Sequence, residues 1–174
     1  MHPTHEDSRL ENLYKYEILD SPPDGFFDDI TSLAAKIFNV PVAIVSLVDA
    51  DRIWFKSAHG LEVDEITREP GLCSSAIMSD DIYIVENASV DARTLANPLV
   101  AGVMGLKFYA AAPLRSKEGY NLGTFCIIDK EPRTLDSKEL SMLLQLSRIV
   151  MDQFELKLQS RIMVKEMLDK LSHN

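Results

Sequence analysis

Val40-Pro-Val-Ala-Ile-Val-Ser-Leu-Val-Asp49, followed after Ala50 by Asp51-Arg-Ile-Trp-Phe-Lys56, is the stretch that decides the fold. Pro41–Asp49 is rich in β-branched residues and too short for a typical helix, so it reads as a buried strand. Asp49-Ala50-Asp51 is a turn, and Ile53-Trp54-Phe55-Lys56 is the returning strand of a hairpin. The same pattern recurs towards the C-terminus. Leu106–Leu114 and Tyr120–Asp129 are apolar runs joined by Arg115-Ser116-Lys117-Glu118-Gly119, whose glycine can take the positive φ that such a turn wants. Two hairpins predict an antiparallel sheet.

Around the hairpins lie helices. Arg9–Ile18 carries Leu10, Leu13, Tyr14 and Ile18 at helical spacing, and Ser21-Pro22-Pro23-Asp24 stops it. A second helix runs from Asp24 or Gly25 to Phe38, with Phe27, Ile30, Leu33, Ala34, Ile37 and Phe38 on one side and an acidic first turn, and Asn39 ends it. Between the hairpins, Ser57–Gly105 is a long excursion. It holds a strand at Ile82–Glu86, a short helix near Ser74–Met78 and a helix start at Asn97-Pro98-Leu99-Val100. From Leu135 to Leu171 neither Gly nor Pro interrupts, which predicts one helix of about 37 residues and about 55 Å. That is longer than a core of this size can cover, so its distal half is expected either to pair in a parallel dimer or to fold back on its own domain.

Composition narrows the function. The 174 residues are enough for one domain with a helical extension, and 46% apolar content is enough for a core. The 18 Lys+Arg against 27 Asp+Glu leave a charge of −9, with no basic stripe to offset it, which disfavours nucleic acid as a ligand. The longest apolar stretch, Val40–Val48, is too short to span a membrane, and the N-terminus is polar. The expectation is therefore a cytoplasmic protein with no membrane partner. Cys73 and Cys126 have neither metal-ligand nor disulfide-framework spacing and read as reduced.

Motifs for chemistry are sparse. There is no phosphate-binding GxxxxGK[ST], and Gly102-Val-Met-Gly105 reads as a turn. His59 is the one histidine away from the chain ends and reads as an exposed loop residue. The carboxylate pairs Asp28/Asp29, Asp49/Asp51, Asp64/Glu65 and Asp80/Asp81 sit mostly where turns and helix starts want Asp. Cys73 is either a thiol made reactive by the positive end of the following short helix or a small apolar side chain at the lip of a cavity. Cys126 lies mid-strand as core or pocket lining. Ala110-Ala111-Ala112 hints at a cavity, although small residues also permit close packing of helix on sheet.

Strings in a fixed order carry a resemblance. They are Tyr16-Glu-Ile-Leu-Asp-Ser-Pro-Pro-Asp24, Phe27-Asp-Asp-Ile-Thr-Ser-Leu-Ala-Ala35, the first hairpin, Gly60-Leu61, Cys73-Ser-Ser-Ala-Ile77, Val90-Asp-Ala-Arg93, Asn97-Pro-Leu-Val100, Phe108-Tyr-Ala-Ala-Ala-Pro-Leu114 and Leu122-Gly-Thr-Phe-Cys-Ile-Ile-Asp129. Together they resemble a GAF domain of the bacterial signalling type, as found N-terminal to histidine kinases and diguanylate cyclases. The resemblance implies an α+β, PAS-like fold: a six-stranded antiparallel sheet, terminal helices on one face, a ligand pocket on the other under Ser57–Gly105, and a long C-terminal helix. It divides the chain into a flexible residues 1–8, a domain over 9–154 and a signalling helix extension over 155–174. It also implies a homodimer through the N- and C-terminal helices and an output domain or partner of the kinase or cyclase class.

The pocket residues expected on this basis are Trp54, Cys73, Ile77, Arg93, Leu99, Phe108, Tyr109, Ala111 and Cys126, although alternation lets only one of Phe108 and Tyr109 point inward. Arg93 would either clamp a carboxylate or phosphate or pair with Asp91. No cofactor is indicated. The cyclic-nucleotide signature is missing after Asn97, Cys73 lacks the following His of bilin-bearing relatives, and Ser75 stands where many relatives of this subtype have His. The expected function is small-molecule sensing without catalysis. The alternatives are a non-liganded dimerisation spacer and a redox enzyme like the free-methionine-sulfoxide reductases, which two cysteines with one mid-strand fit poorly. No Gly-Gly-Asp-Glu-Phe string, kinase histidine box or receiver pattern occurs up to Asn174, which suggests a fragment or a stand-alone sensor acting through a partner.

Overall fold

The computed structural model describes residues 4–69, 71–94 and 105–174. Helices α1 (His5–Lys15) and α2 (Gly25–Phe38) lead into strands β1 (Val42–Val48), β2 (Arg52–His59) and β3 (Glu65–Thr67), the short helix α3 (Leu72–Ala76) and strand β4 (Tyr83–Val85). Strands β5 (Phe108–Arg115) and β6 (Asn121–Asp129) and the long helix α4 (Ser137–Ser172) complete the chain. The six strands form one sheet in the order β3-β2-β1-β6-β5-β4, with every pairing antiparallel. Both expected hairpins are present: the Asp49 amide closes the first turn on the Arg52 carbonyl, and Gly119, at φ 93°, lets the second return.

Helix α1 begins at His5, ahead of the expected Arg9, because Thr4 and Asp7 form a reciprocal capping box that satisfies its first amides. It ends at Lys15, three residues before the expected Ile18. Asp24 caps α2 through the Phe26 amide, and Asn39 in left-handed conformation ends it. A second capping box, Asp136 with Glu139, starts α4. The helix start at Asn97–Val100, the Gly102–Gly105 turn except for Gly105, and Leu99 lie outside the described residues.

The sheet has a core on each face. Towards α1, α2 and α4 point Ala43, Val45, Leu47, Trp54, Phe108, Ala110, Ala112, Leu114, Phe125 and Ile127, which meet Leu13, Tyr16, Phe27, Leu143, Val150 and Phe154. On the other face Ile44, Ile53, Phe55, Tyr109, Ala111, Cys126 and Ile128 lie under α3, with Leu72, Cys73, Ala76 and Ile77. Phe27 and Phe154 stack at 5.1 Å and join α2 to α4. The buried residues of α4 run from Leu143 to Leu158, and from Ile162 onward its side chains are exposed.

Candidate functional site

The face away from the long helices brings together polar groups that no local pattern in the sequence joins. Alternation along β6 sends Thr124, Cys126 and Ile128 to this face, and the register sets Ser46 beside Thr124 and Ala111 beside Cys126. Helix α3 lies across them and lowers Cys73 into the group. The Tyr109 hydroxyl donates to Cys73 Sγ at 3.0 Å, Thr124 Oγ1 donates to the same sulfur at 3.4 Å, and Ser46 Oγ and Thr124 Oγ1 share a hydrogen bond at 2.9 Å. All five of these side chains, Cys126 included, are buried. Beside them is a cavity of about 40 Å³ lined by Ile44, Phe55, Leu72, Tyr109 and Cys126 among others.

The two thiols line this same cavity, and their surroundings push them in opposite directions. The hydrogen bond from Cys126 holds the Cys73 thiol below its ordinary range, aided by Ser46, Thr124 and Tyr109 and opposed by burial. The same shared hydrogen bond, with burial, pushes Cys126 up. Burial, then the charge on Cys73, raises the Tyr109 phenol. The sequence reading assigned any activation of Cys73 to the positive end of the short helix; here neighbouring donors lower it.

Side-chain contacts tie α3 to the opposite layer. Arg68 donates to Ser74 Oγ at 3.4 Å, to the Asp49 carbonyl at 3.0 Å and to Glu6 of α1 at 2.6 Å. Glu6 also takes two hydrogen bonds from the buried Arg9, both at 2.9 Å. The hydrogen bond from Arg9 first, then Arg68, lowers the Glu6 carboxyl to about 2 against the effect of burial. Just past the C-terminal end of α3, Asn121 Nδ2 donates to the Ile77 and Ser79 carbonyls, each at 3.1 Å, while the Asn121 carbonyl accepts from Arg9 at 3.4 Å. The middle of α3, through Ser74, and the turn after it, through Ile77 and Ser79, therefore both lead to the first two turns of α1. From there Tyr16 donates to Glu155, Arg161 donates to the Tyr16 carbonyl, and Lys157 pairs with Asp24 at 2.8 Å, which locks the entry of α1 and α2 to α4.

The model of one family, the GAF domain, matches the chain over residues 22–153. The chain belongs to the GAF domain family. It is 36% identical over 151 residues to a protein of Pseudomonas aeruginosa named cyclic di-GMP phosphodiesterase. The match takes in 86% of this chain and 26% of that relative, so the chain spans about a quarter of its length. Among solved structures it is similar to free methionine-R-sulfoxide reductase from Neisseria meningitidis, at TM-score 0.65 and 16% identity, covering 92% of this chain and 98% of that one. The GAF domain of an Acinetobacter phosphoenolpyruvate-protein phosphotransferase gives TM-score 0.60 and 18% identity over 95% and 99% of the two chains. At those identities the likeness is one of fold.

Within this GAF domain the expected pocket residues separate. Cys73, Ile77, Tyr109, Ala111 and Cys126 lie on the roofed face. Trp54 and Phe108 do not: both turn to the helix face, and Phe55 takes the place expected of Trp54. The sequence could not set the phase of these strands, because both faces of the sheet are buried and apolar residues occupy both parities. Ala110 and Ala112 likewise lie under the helices, where small side chains admit close packing, and only Ala111 lies on the roofed face.

Arg93 does not reach the cluster. It pairs with Asp91 at 2.7 Å, donates to the Ile84 carbonyl at 2.8 Å and stacks on Tyr83 at 4.8 Å, a structural tie between β4 and its following turn. His59 is exposed at the end of β2. Ser46, Thr124, Phe55 and Leu72 are site residues that the sequence reading missed. Thr124 was recoverable, being two positions from Cys126 on one strand.

A wider concavity, about 610 Å³, lies elsewhere, against β2 beside the α2 N-terminus. Asp20, Asp28, Lys56 and Glu65, which line it, are engaged by neighbouring groups. Asp20 and Glu65 hold Arg52, Asp28 accepts from Ser57, and Lys56 donates to Ser21 and the Pro22 carbonyl. A bulge at Val45/Ser46 turns both Lys56 and Ser57 towards α2. Among the described residues no group of three or more His, Cys, Asp or Glu is placed to hold a metal, and no helix is long and apolar enough to cross a membrane.

Proposed function

We propose that this GAF domain is the sensing part of a cytoplasmic signalling protein. In this reading a small molecule acts at the face carrying Cys73, Tyr109, Thr124 and Cys126, and α1 and α4 carry the response to an output of kinase, cyclase or phosphodiesterase class. The observation that carries the reading is the double tether of α3. A shift of this five-residue roof moves Arg68 and Asn121, both tethers end on α1, and α1 is bonded to α4 at Tyr16. The exposed stripe Ile149, Leu156, Met163 and Met167 along α4 supports transmission through a parallel homodimer, because it continues past the last buried residue of the domain. That the Pseudomonas relative extends well beyond the matched region supports a regulatory place beside another domain.

The cavity favours a second reading. Ligand pockets run to roughly 300–1,000 Å³, whereas this one is about 40 Å³. A filled core would make the domain a dimerising spacer. Native mass spectrometry of the purified protein, followed by denaturing spectra of the same sample, separates the readings. A dimer that releases a small-molecule mass supports sensing; a dimer without added mass, unchanged by a metabolite extract, supports the spacer, and a monomer overturns the helix-mediated dimer.

A further inference from the structure

We propose that Cys73 and Cys126 form a peroxide-reactive dithiol, in which hydrogen peroxide oxidises Cys73 and Cys126 resolves it to an intramolecular disulfide. This goes beyond reversible ligand binding, because the response is a covalent bond between α3 and β6. Four observations point to it. Cys73 and Cys126, remote in sequence, are both free thiols buried on the same face of the sheet, under α3. Cys73 Sγ accepts from the Tyr109 and Thr124 hydroxyls, the arrangement that stabilises a thiolate, the nucleophilic form of cysteine.

The cavity against both sulfurs gives the third. At roughly 10–15 Å³ for each water it accommodates, its volume of about 40 Å³ suits a molecule of two oxygens and excludes a nucleotide or an amino acid. The fourth is the short roof itself: α3 has five residues and is held by side-chain ties at Ser74 and at Ile77 just past its end, so it can open locally and close again.

The reaction balances without another component. The Cys73 thiolate attacks one oxygen of hydrogen peroxide, the O–O bond breaks, and the departing hydroxide takes up the proton that Cys73 released, leaving Cys73 as sulfenic acid and one water. The Cys126 sulfur then attacks the sulfenic sulfur, its proton leaves with the hydroxyl as a second water, and the S–S bond forms. In sum, two thiols and one peroxide give one disulfide and two waters. The thiols are oxidised and the peroxide reduced. The bond would draw α3 onto β6, and its two tethers would carry that movement to α1.

The test uses the full chain with hydrogen peroxide as the probe. After exposure to a small molar excess at neutral pH, the protein is denatured in N-ethylmaleimide and its adducts are counted by intact mass. The expected result is loss of both adducts together in a single-chain species, with both restored by dithiothreitol. Cys126→Ser should stop at the first step and give a dimedone adduct at Cys73, and Cys73→Ser should give none at Cys126. Tyr109→Phe, which removes one donor from the sulfur, should slow oxidation at least several-fold.

Melting curves of the untreated variants check their folding, and Cys126→Ala replaces the serine variant if that one is unstable. Two adducts persisting in folded protein while the denatured chain oxidises, disulfides only between chains, or dimedone capture at Cys126 in Cys73→Ser would each overturn the proposal. The thiol count is independent of the native mass spectrum. Failure here therefore leaves ligand sensing standing, and an empty pocket there leaves the dithiol standing.

Discussion

Two glycine-to-alanine substitutions should act with opposite sign. Gly123 sits in the middle of the sheet, opposite Leu47 on β1 and Leu114 on β5. A Cβ built there lies 1.9 Å from the Ser46 carbonyl oxygen and 2.8 Å from Leu47 Cα, all backbone. Carbon–oxygen contacts between strands settle near about 3.3 Å, so β1 and β6 must part locally by about 1.4 Å. An opening of that size removes about two ladder hydrogen bonds at about 1 kcal/mol each. With about 1–3 kcal/mol of overpacking strain, Gly123→Ala should cost about 3–5 kcal/mol in all.

For a chain of this length that is a fall of about 6–20 °C in melting temperature. Gly25 starts α2 with ordinary φ and nothing within 4 Å of an added Cβ. Alanine there restricts the unfolded chain and should stabilise by about 0.4–1 kcal/mol. Thermal melts by circular dichroism, with urea titrations for the free energies, measure both. A Gly123→Ala protein melting within about 2 °C of wild type would refute the close approach of β1 and β6 on which the register of the sheet rests.

Three further outcomes follow from other contacts. Phe154→Ala removes a fully buried ring that stacks on Phe27 and should cost about 3–5 kcal/mol, read by urea unfolding. Glu6, with its carboxyl lowered from 4.5 to about 2, stabilises the fold above pH 4.5 and loses that contribution as pH falls through 2. Melting temperatures should therefore favour wild type over Glu6→Gln near neutrality, with the gap closing in acid; a constant gap would refute the pairing with Arg9 and Arg68. Replacing Leu156, Met163 and Met167 together by Glu puts charge along the exposed stripe of α4 and should convert a dimer to monomer in size-exclusion chromatography with light scattering, with the domain melt little changed.

The hairpins, α2 and α4 were legible in the sequence because their signals are local. Val40–Asp49 and Leu122–Asp129 are short β-branched or apolar runs bounded by turn residues, and Asp24, Asn39 and Asp136 mark helix ends. Strand β3 was not, since Glu65-Ile-Thr67 offers three residues with one partly buried side chain. Which residues line the site was legible only in part. Trp54 and Phe108 were misplaced because a sheet buried on both faces has no polar alternation to fix its phase, whereas Arg93 proved to serve Asp91 two residues away. The meeting of Cys73 with Cys126, Tyr109 and Thr124 depends on α3 folding back over the sheet, a contact between distant segments that no spacing rule encodes.

The far end of α4 supplies its own gauge of assembly. Beyond Leu158 it has no buried side chain, and about four turns of helix are marginal in water without something to pack against. Its ellipticity at 222 nm should thus rise with protein concentration while the rest of the spectrum stays fixed. A dilution series in a circular dichroism cell becomes a binding isotherm for whatever the helix meets, with no label attached. Any effector that tightens or loosens that encounter would displace the isotherm along the concentration axis.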